Sequence, residues 1–207
     1  MSAFSGEDVT VTIEERGAKL CKIASRIRGC TCCKLHQERT NAVPGTGPVT
    51  AEVFLVGEGP GAREDVEGLP FVGRSGRYLD RLLDGVGLSR ERVFITNVVK
   101  CRPPSNRDPH VAEVQACTPY LDRQLRLIQP CLVVTLGRFA MEQFFSDGRI
   151  SDIHGQPRRI DDILYLPLYH PAAALYRGSL RGVMEEDFRM VPVLLNGAHQ
   201  LPGRAPS

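Results

Sequence analysis

Four short apolar runs set the rhythm of the chain: Glu52–Gly57, Arg92–Asn97, Cys131–Gly137 and Ile163–Tyr169. None alternates apolar with polar positions, so each predicts a strand buried on both faces. The stretches between them carry helical spacing instead. Leu20, Ile23, Ala24 and Ile27 share one face of a helix over Ile13 to Ile27, which leads directly into Cys30. Tyr78, Leu79, Leu82, Leu83 and Val86 form a second stripe, with Ser75 as the expected N-cap and Gly85 to Gly87 as the stop. Thr118-Pro119 reads as an N-cap followed by proline at a first helical position. The helix holding Val111 and Val114 is therefore expected to stop near Cys117. Buried strands separated by helices predict an α/β fold, a three-layer α/β/α sandwich with a central four-stranded parallel sheet.

Length and composition narrow this picture only a little. A chain of 207 residues is most simply one domain, expected over residues 13–196 between a flexible N-terminus (1–12) and a flexible tail (197–207). The net charge of +2 decides nothing; its placement matters more, because Lys100, Arg102 and Arg107 cluster around one loop, and Arg177 and Arg181 follow another. No apolar run approaches the ~18 residues of a membrane span. Met1 to Thr10 lacks a basic stretch followed by an apolar one, so no secretory leader is expected. Seven cysteines without an export signal point to thiolate ligation in a reducing, cytoplasmic setting.

Four of those cysteines have a telling arrangement. Cys30 and Cys33 fall as C-x2-C; after a long gap, Cys101 and Cys117 fall as C-x15-C. Four thiolates from three separate segments suit either zinc or an iron–sulfur cluster. Zinc ribbons use two C-x2-C knuckles, and the irregular second spacing favours a [4Fe–4S] cluster. Cys32, beside Cys33, competes as a ligand. Cys21 and Cys131 read as core residues.

Between the cysteine pairs, Gly57-Glu58-Gly59-Pro60-Gly61 sits at the C-terminal end of the first strand, where open α/β sheets bind ligands. It lacks the spacing of a dinucleotide fingerprint and the Gly-Lys-Ser/Thr ending of a P-loop. Its glycines let the backbone approach a small planar ligand. Phe71 lies in a glycine-flanked loop, a poor place for a ring unless something stacks on it. Asn97 ends the second strand, and its amide both donates and accepts, which suits a pyrimidine edge. His170 ends the fourth strand before Pro171.

These residues together resemble the family 4 uracil-DNA glycosylases, the iron–sulfur branch of the uracil-DNA glycosylase superfamily. The resemblance covers roughly Ile27 to Val193. It rests on GEGPG with Glu64-Asp65, PFVGRSG (Pro70 to Gly76), TNVVKCRPP with NRDP (Thr96 to Pro109) and HPAAALY (His170 to Tyr176). It implies a [4Fe–4S] cluster on Cys30, Cys33, Cys101 and Cys117, with Cys32 left out. It implies hydrolysis of the N-glycosidic bond of deoxyuridine in DNA, releasing uracil and leaving an abasic site; the expected enzyme is a monomer acting on single- and double-stranded DNA and associated with the nucleoid through it. Phe71 would stack on the flipped base and Asn97 would read its edge. His170, with backbone N–H groups from Gly57, Gly59 and Ala62, would stabilise charge on uracil O2. Glu58 or Asp65 would position water or stabilise the sugar cation. Leu175 would be the wedge, and Lys100, Arg102, Arg107 and Arg177 would touch phosphates.

Two departures from the family pattern stand out. Gly59 replaces a commoner alanine, which is expected to loosen the pocket. The segment Pro103 to Pro109 also lacks the insertion and histidine with which a related branch traps uracil covalently; His110 lies just beyond it. Turnover without an adduct is therefore expected. The competing readings are a covalent or non-turnover uracil binder of the same fold, and a non-catalytic iron–sulfur protein that binds DNA or transfers electrons.

Overall fold

The computed structural model describes residues 11 to 199. In chain order the elements are α1 (Ile13–Arg28), β1 (Val53–Gly57), α2 (Ala62–Glu67), α3 (Arg74–Asp84), β2 (Val93–Asn97), α4 (Val111–Ile128), β3 (Leu132–Leu136), α5 (Arg138–Met141), α6 (Ile150–Ile153), β4 (Arg158–Ile160), β5 (Ile163–Leu168), α7 (Pro171–Tyr176), α8 (Leu180–Phe188) and α9 (Met190–His199). The strand order is β2-β1-β3-β5-β4. The first four are parallel; β4 pairs antiparallel with β5 at the edge. The sheet thus has the four expected parallel strands and one more. At three residues, Arg158–Ile160 is too short and too polar to announce itself as a strand. Among the described residues no helix is long and apolar enough to cross a membrane.

Both faces of the sheet are covered, which makes three layers. Along β1, Phe54 and Val56 join the core formed with α1 and α4, whereas Val53 and Leu55 join the core formed with α3, α8 and α9. This alternation explains why the strands read as unbroken apolar runs. Helix α1 starts on a capping box, with Thr12 Oγ1 accepting from the Glu15 amide and the Glu15 carboxylate accepting from the Thr12 amide.

Three expectations are corrected. Helix α4 does not break at Pro119; it runs unbroken to Ile128. The missing N–H and ring clash cost about 3 kcal/mol. Burial of Leu121, Leu125 and Ile128 on the same helix outweighs that, at roughly 1.5–3 kcal/mol each. Second, α3 begins at Arg74 with Gly73 as N-cap, so Ser75 lies inside the first turn. Third, α9 continues through His199, past the boundary expected at 197. The expected flexible ends otherwise lie, at 1–10 and 200–207, outside the described residues.

Candidate functional site

The C-terminal edge of the parallel strands brings separate loops to one place. Gly57 at the end of β1 stands in register with Asn97 at the end of β2. His170 follows β5, and the strand order diverges between β1 and β3, the usual place for a ligand crevice. Here lies a cavity of about 210 Å³ lined by Glu58 to Gly61, Phe71, Asn97 and His170, with Glu64, Ser75 and the Pro103–Arg107 loop completing the wall.

Phe71 forms one side. Its backbone adopts φ 53, a left-handed conformation uncommon for an aromatic residue. Two devices hold it there. Gly76 lets α3 approach so closely that a Cβ at that position would stand 1.7 Å from the Phe71 carbonyl oxygen. Arg90 reaches back from the 3-10 turn that leads into β2; its Nη1 donates to the Pro70 carbonyl (3.0 Å), its Nη2 to the Phe71 carbonyl, and its Nε to Asp80 Oδ1 (2.6 Å). The ring stacks on His170, with centroids 5.6 Å apart and planes inclined by 29°. Gly57 makes room for it. A Cβ there would meet Asn97 Oδ1 at 2.5 Å and Phe71 Cζ at 2.6 Å.

Asn97 is 2% exposed, and its Oδ1 is buried without a hydrogen-bond partner. A buried acceptor left unsatisfied costs about 1–3 kcal/mol until a ligand supplies a donor. Its backbone is pinned by Lys100, whose Nζ donates to the Asn97 carbonyl (2.7 Å), Thr96 Oγ1 (2.6 Å) and Gln124 Oε1 (2.8 Å). Lys100 is 1% exposed, so its expected phosphate contact is corrected to that of an internal strut. Burial lowers its pKa to about 8, against the opposing pull of Cys117.

His170 caps α7. Its Nδ1 accepts from the Ala172 amide at 3.1 Å, which leaves the ring proton on Nε2. Burial holds the imidazole down at about 4, with Glu64 pulling the other way, although the residue opens partly to the cavity. At neutral pH it is therefore an uncharged N–H donor.

The two candidate carboxylates separate. Asp65 is corrected: it is absent from the cavity wall, and its carboxylate accepts from the Thr40 and Asn41 amides at 3.0–3.3 Å, fastening that loop to α2. The residue before it, Glu64, faces the cavity, its Oε1 accepting from the Gly73 amide at 2.7 Å. The three-residue spacing from Gly61 to Glu64, that of a capping box, is the signal that could have found it. Glu58 lines the cavity with no hydrogen-bond partner for its carboxylate among the described residues. Its pKa is raised, first by burial and then by Asp108, with Arg138 opposing.

Other expectations divide similarly. Gly59 lines the cavity, but it does not loosen it: Val99 Cγ2 fills the space, 2.8 Å from where a Cβ would stand. Ala62 is exposed at the start of α2, outside the wall. Arg107 is paired with Glu113 through two bonds of 2.7 and 2.8 Å and bonded to the Asp108 carbonyl, so it braces its loop and does not stand free for phosphate. Arg102 bonds Asn106 Oδ1 at 2.7 Å. Leu175 is half-buried, whereas Tyr176 next to it is 88% exposed, and Arg177 is exposed.

A second, narrow cavity lies between the end of α1 and α4. Cys30, Cys33, Cys101 and Cys117 all line it, as does Cys32. Cys101 Sγ accepts from Arg39 Nη1 (3.0 Å), Cys117 Sγ from the Lys100 amide (3.3 Å) and Cys30 Sγ from the Cys32 amide (3.5 Å). Among the described residues, no three His, Cys, Asp or Glu side chains converge closely enough to hold a single metal ion. Burial pushes the Cys117 thiol up to about 11, so ligation there must release a proton.

Comparison with known proteins adds to this geometry. Residues 44–189 match the family described as the uracil DNA glycosylase superfamily. The type-4 uracil-DNA glycosylase of Sulfurisphaera tokodaii is 48% identical, with 82% of each chain aligned. That of Archaeoglobus fulgidus is 45% identical over 82% of this chain and 89% of its own. The type-5 uracil-DNA glycosylase of Thermus thermophilus is more distant, at 36% identity over 48% of this chain and 52% of its own.

Proposed function

This chain belongs to the uracil DNA glycosylase superfamily and within it to the type-4 uracil-DNA glycosylases, and from that premise we propose how its cavity excises uracil. Water replaces the base at the sugar C1′ of deoxyuridine, leaving uracil and an abasic site. The observation that carries the assignment of roles is the unpaired Asn97 Oδ1 in a wall shared with Phe71 and His170. Uracil offers an N3–H donor beside its O4 acceptor; an amide complements both, and cytosine presents the opposite pattern. A base must leave the stack to reach this depth, at a cost of a few kcal/mol. Phe71, locked by Arg90 and Gly76, supplies the stacking face.

As the glycosidic bond lengthens, negative charge gathers on uracil O2 and positive charge on the sugar. A neutral His170 donates Nε2–H to that oxygen without needing to titrate, and a donor fixed in advance requires no reorganisation. Glu58 acts on the other side, stabilising the sugar cation and orienting the attacking water. Its carboxylate has no protein partner to give up, unlike that of Glu64, which is tied to Gly73. With no histidine in Pro103 to Pro109, nothing in that loop is placed to capture the sugar.

The four thiols at Cys30, Cys33, Cys101 and Cys117 fit a [4Fe–4S] cluster. The donor set is entirely sulfur, it surrounds a cavity and not a single-ion point, and N–H groups already face three of the sulfurs. Bound there, the cluster would supply cross-linking and no step of the hydrolysis. It would tie the end of α1, the segment after β2 and the middle of α4, and so hold the Pro103–Arg107 wall.

DNA would lie across exposed arginines. Arg74, Arg77 and Arg81 repeat at helical spacing on α3, and Arg177 and Arg181 adjoin them from α7 and α8; all five are exposed and none forms an ion pair among the described residues. Tyr78 ties these helices, its hydroxyl donating to the Arg181 carbonyl at 3.4 Å. Tyr176, 88% exposed where the expected Leu175 is half-buried, would wedge between bases. Replacing Arg74, Arg77 and Arg177 together by glutamine should flatten the plot of log K against log salt by about 2 to 3 units of slope for duplex DNA. An unchanged slope would place the phosphate track elsewhere.

The activity itself is tested by uracil release from a labelled single-strand oligonucleotide, with alkali cleavage of the product. Many turnovers and no protein–DNA band on a denaturing gel are expected. A single turnover with a stable band would replace this reading with the trapping one.

A further inference from the structure

Five thiols line the cavity where a four-iron cluster takes four, and the fifth has a distinct position. Cys101 and Cys117 are buried deep in the fold, whereas Cys32 is exposed. Cys32 also lines the open groove outside, beside Thr31, Pro119 and Tyr120, so it stands where the cavity meets solvent. Its neighbour there is Cys30. The Cys32 amide donates to Cys30 Sγ at 3.5 Å, and Cys30, Cys32 and Tyr120 line both the cavity and the groove outside it. No such link joins Cys32 to Cys101 or Cys117, which keep Arg39 and the Lys100 amide as their own donors.

The backbone is least constrained at this corner; Cys33, on the same loop, is held by His36, whose amide (3.3 Å) and Nδ1 (2.7 Å) both meet its carbonyl. Helix α1 ends at Arg28, and Thr31 to Cys33 belong to no helix or strand, so turning Cys32 inward breaks no ladder. Cys117 sits within α4, and Cys101 follows the pinned backbone of Asn97 and Lys100. A loop thiol beside Cys30, with the other three corners held, can replace the ligand at the Cys30 corner alone.

We propose that Cys32 is a reserve ligand for the Cys30 corner of the thiolate cage, taking over the iron that Cys30 would hold when Cys30 is lost. The inference rests on the cluster assignment above. In the exchange an iron–sulfur bond to Cys32 takes the place of the one to Cys30; the Cys32 thiol proton passes to the departing Cys30 thiolate, or to solvent where Cys30 is absent. No electron is transferred and no oxidant is needed.

The test measures iron and acid-labile sulfide per chain, with the visible absorption band, in protein purified without air. The wild type should carry about four irons. Cys30→Ala should keep most of them, and Cys30→Ala/Cys32→Ala should lose them. Cys33→Ala, Cys101→Ala and Cys117→Ala should each lose them although Cys32 is present. Alkylation mapped by mass gives a second readout: Cys32 reacts in the loaded wild type and becomes protected in loaded Cys30→Ala. If Cys30→Ala does not fold, Cys30→Ser is labelled in the same way. Cys30 variants as empty as the Cys33 one, a double variant that keeps its iron, or a Cys32 that stays reactive would each overturn the proposal. A wild type without iron would instead defeat the cluster assignment on which it rests.

Discussion

Asn97→Ala is expected to lower kcat/KM for uracil excision by about a thousandfold while leaving affinity for abasic-site DNA unchanged. The variant removes both partners of the uracil edge. Each polar group left unpaired in a closed pocket costs about 1–3 kcal/mol, so two cost roughly 2–6 kcal/mol, and every 1.4 kcal/mol is tenfold. Sites built to hydrogen-bond a substrate group discriminate on this scale. The product carries no base, so its binding samples the backbone contacts alone and serves as a folding control. A loss below about tenfold would mean that the edge of uracil is read by another residue. The Lys100 strut makes a large loss more certain, because the Asn97 backbone cannot shift to let a neighbour substitute.

The second large effect concerns His170. Alanine there should reduce kcat by about 10²–10³, the usual result of deleting one preorganised donor. Its pH signature is more diagnostic. With the imidazole held at about 4, kcat should stay level from pH 6 to 8, with no inflection near the ordinary 6.5. Any acid limb should come from Glu58, whose raised pKa brings its protonation upward. The same depression links folding to pH. The unfolded chain protonates this histidine at its ordinary value while the folded one resists, so stability is full above about 6.5 and falls as pH drops toward about 4. That component of the acid slope should vanish in His170→Ala. A wild-type inflection at 6.5 that disappears in the variant would instead show an imidazole that titrates normally.

Much of this site was legible along the chain because its residues sit at strand ends. An apolar run buried on both faces stops where the sheet stops, which located Gly57, Asn97 and His170 to within a residue or two. Phe71 announced itself by being a ring in a glycine-rich loop. What escaped depended on rotation or on closure. Glu64 and Asp65 are adjacent, but one helical step is about 100°, and that alone decides which carboxylate enters the cavity. Lys100 sits in a loop sequence that looks solvent-bound; only the approach of Gln124 from α4 and Thr96 from β2 encloses it. Arg90 is distant in sequence from Phe71, and nothing local to either marks the pair. The arginines of α3 have visible spacing, yet which way they face follows from packing against α7 and α8. Pro119 misled because local propensity was outweighed by the buried face of α4.

The fifth strand bears on how the protein behaves at high concentration. A parallel sheet ending in β5 would present a row of free amides and carbonyls flanked by leucines, a template for adding another chain. Arg158 and Arg159 in β4 occupy that margin with a short strand bearing like charges, and at the opposite margin Thr46 bridges to Ile95 across β2. Charged side chains, here Arg158 paired with Asp147 and Arg159 with Asp162, and brevity at an edge both oppose strand-to-strand addition. Neutralising the two arginines of β4 should therefore show first as precipitation on storage, with the chemistry of the distant cavity untouched.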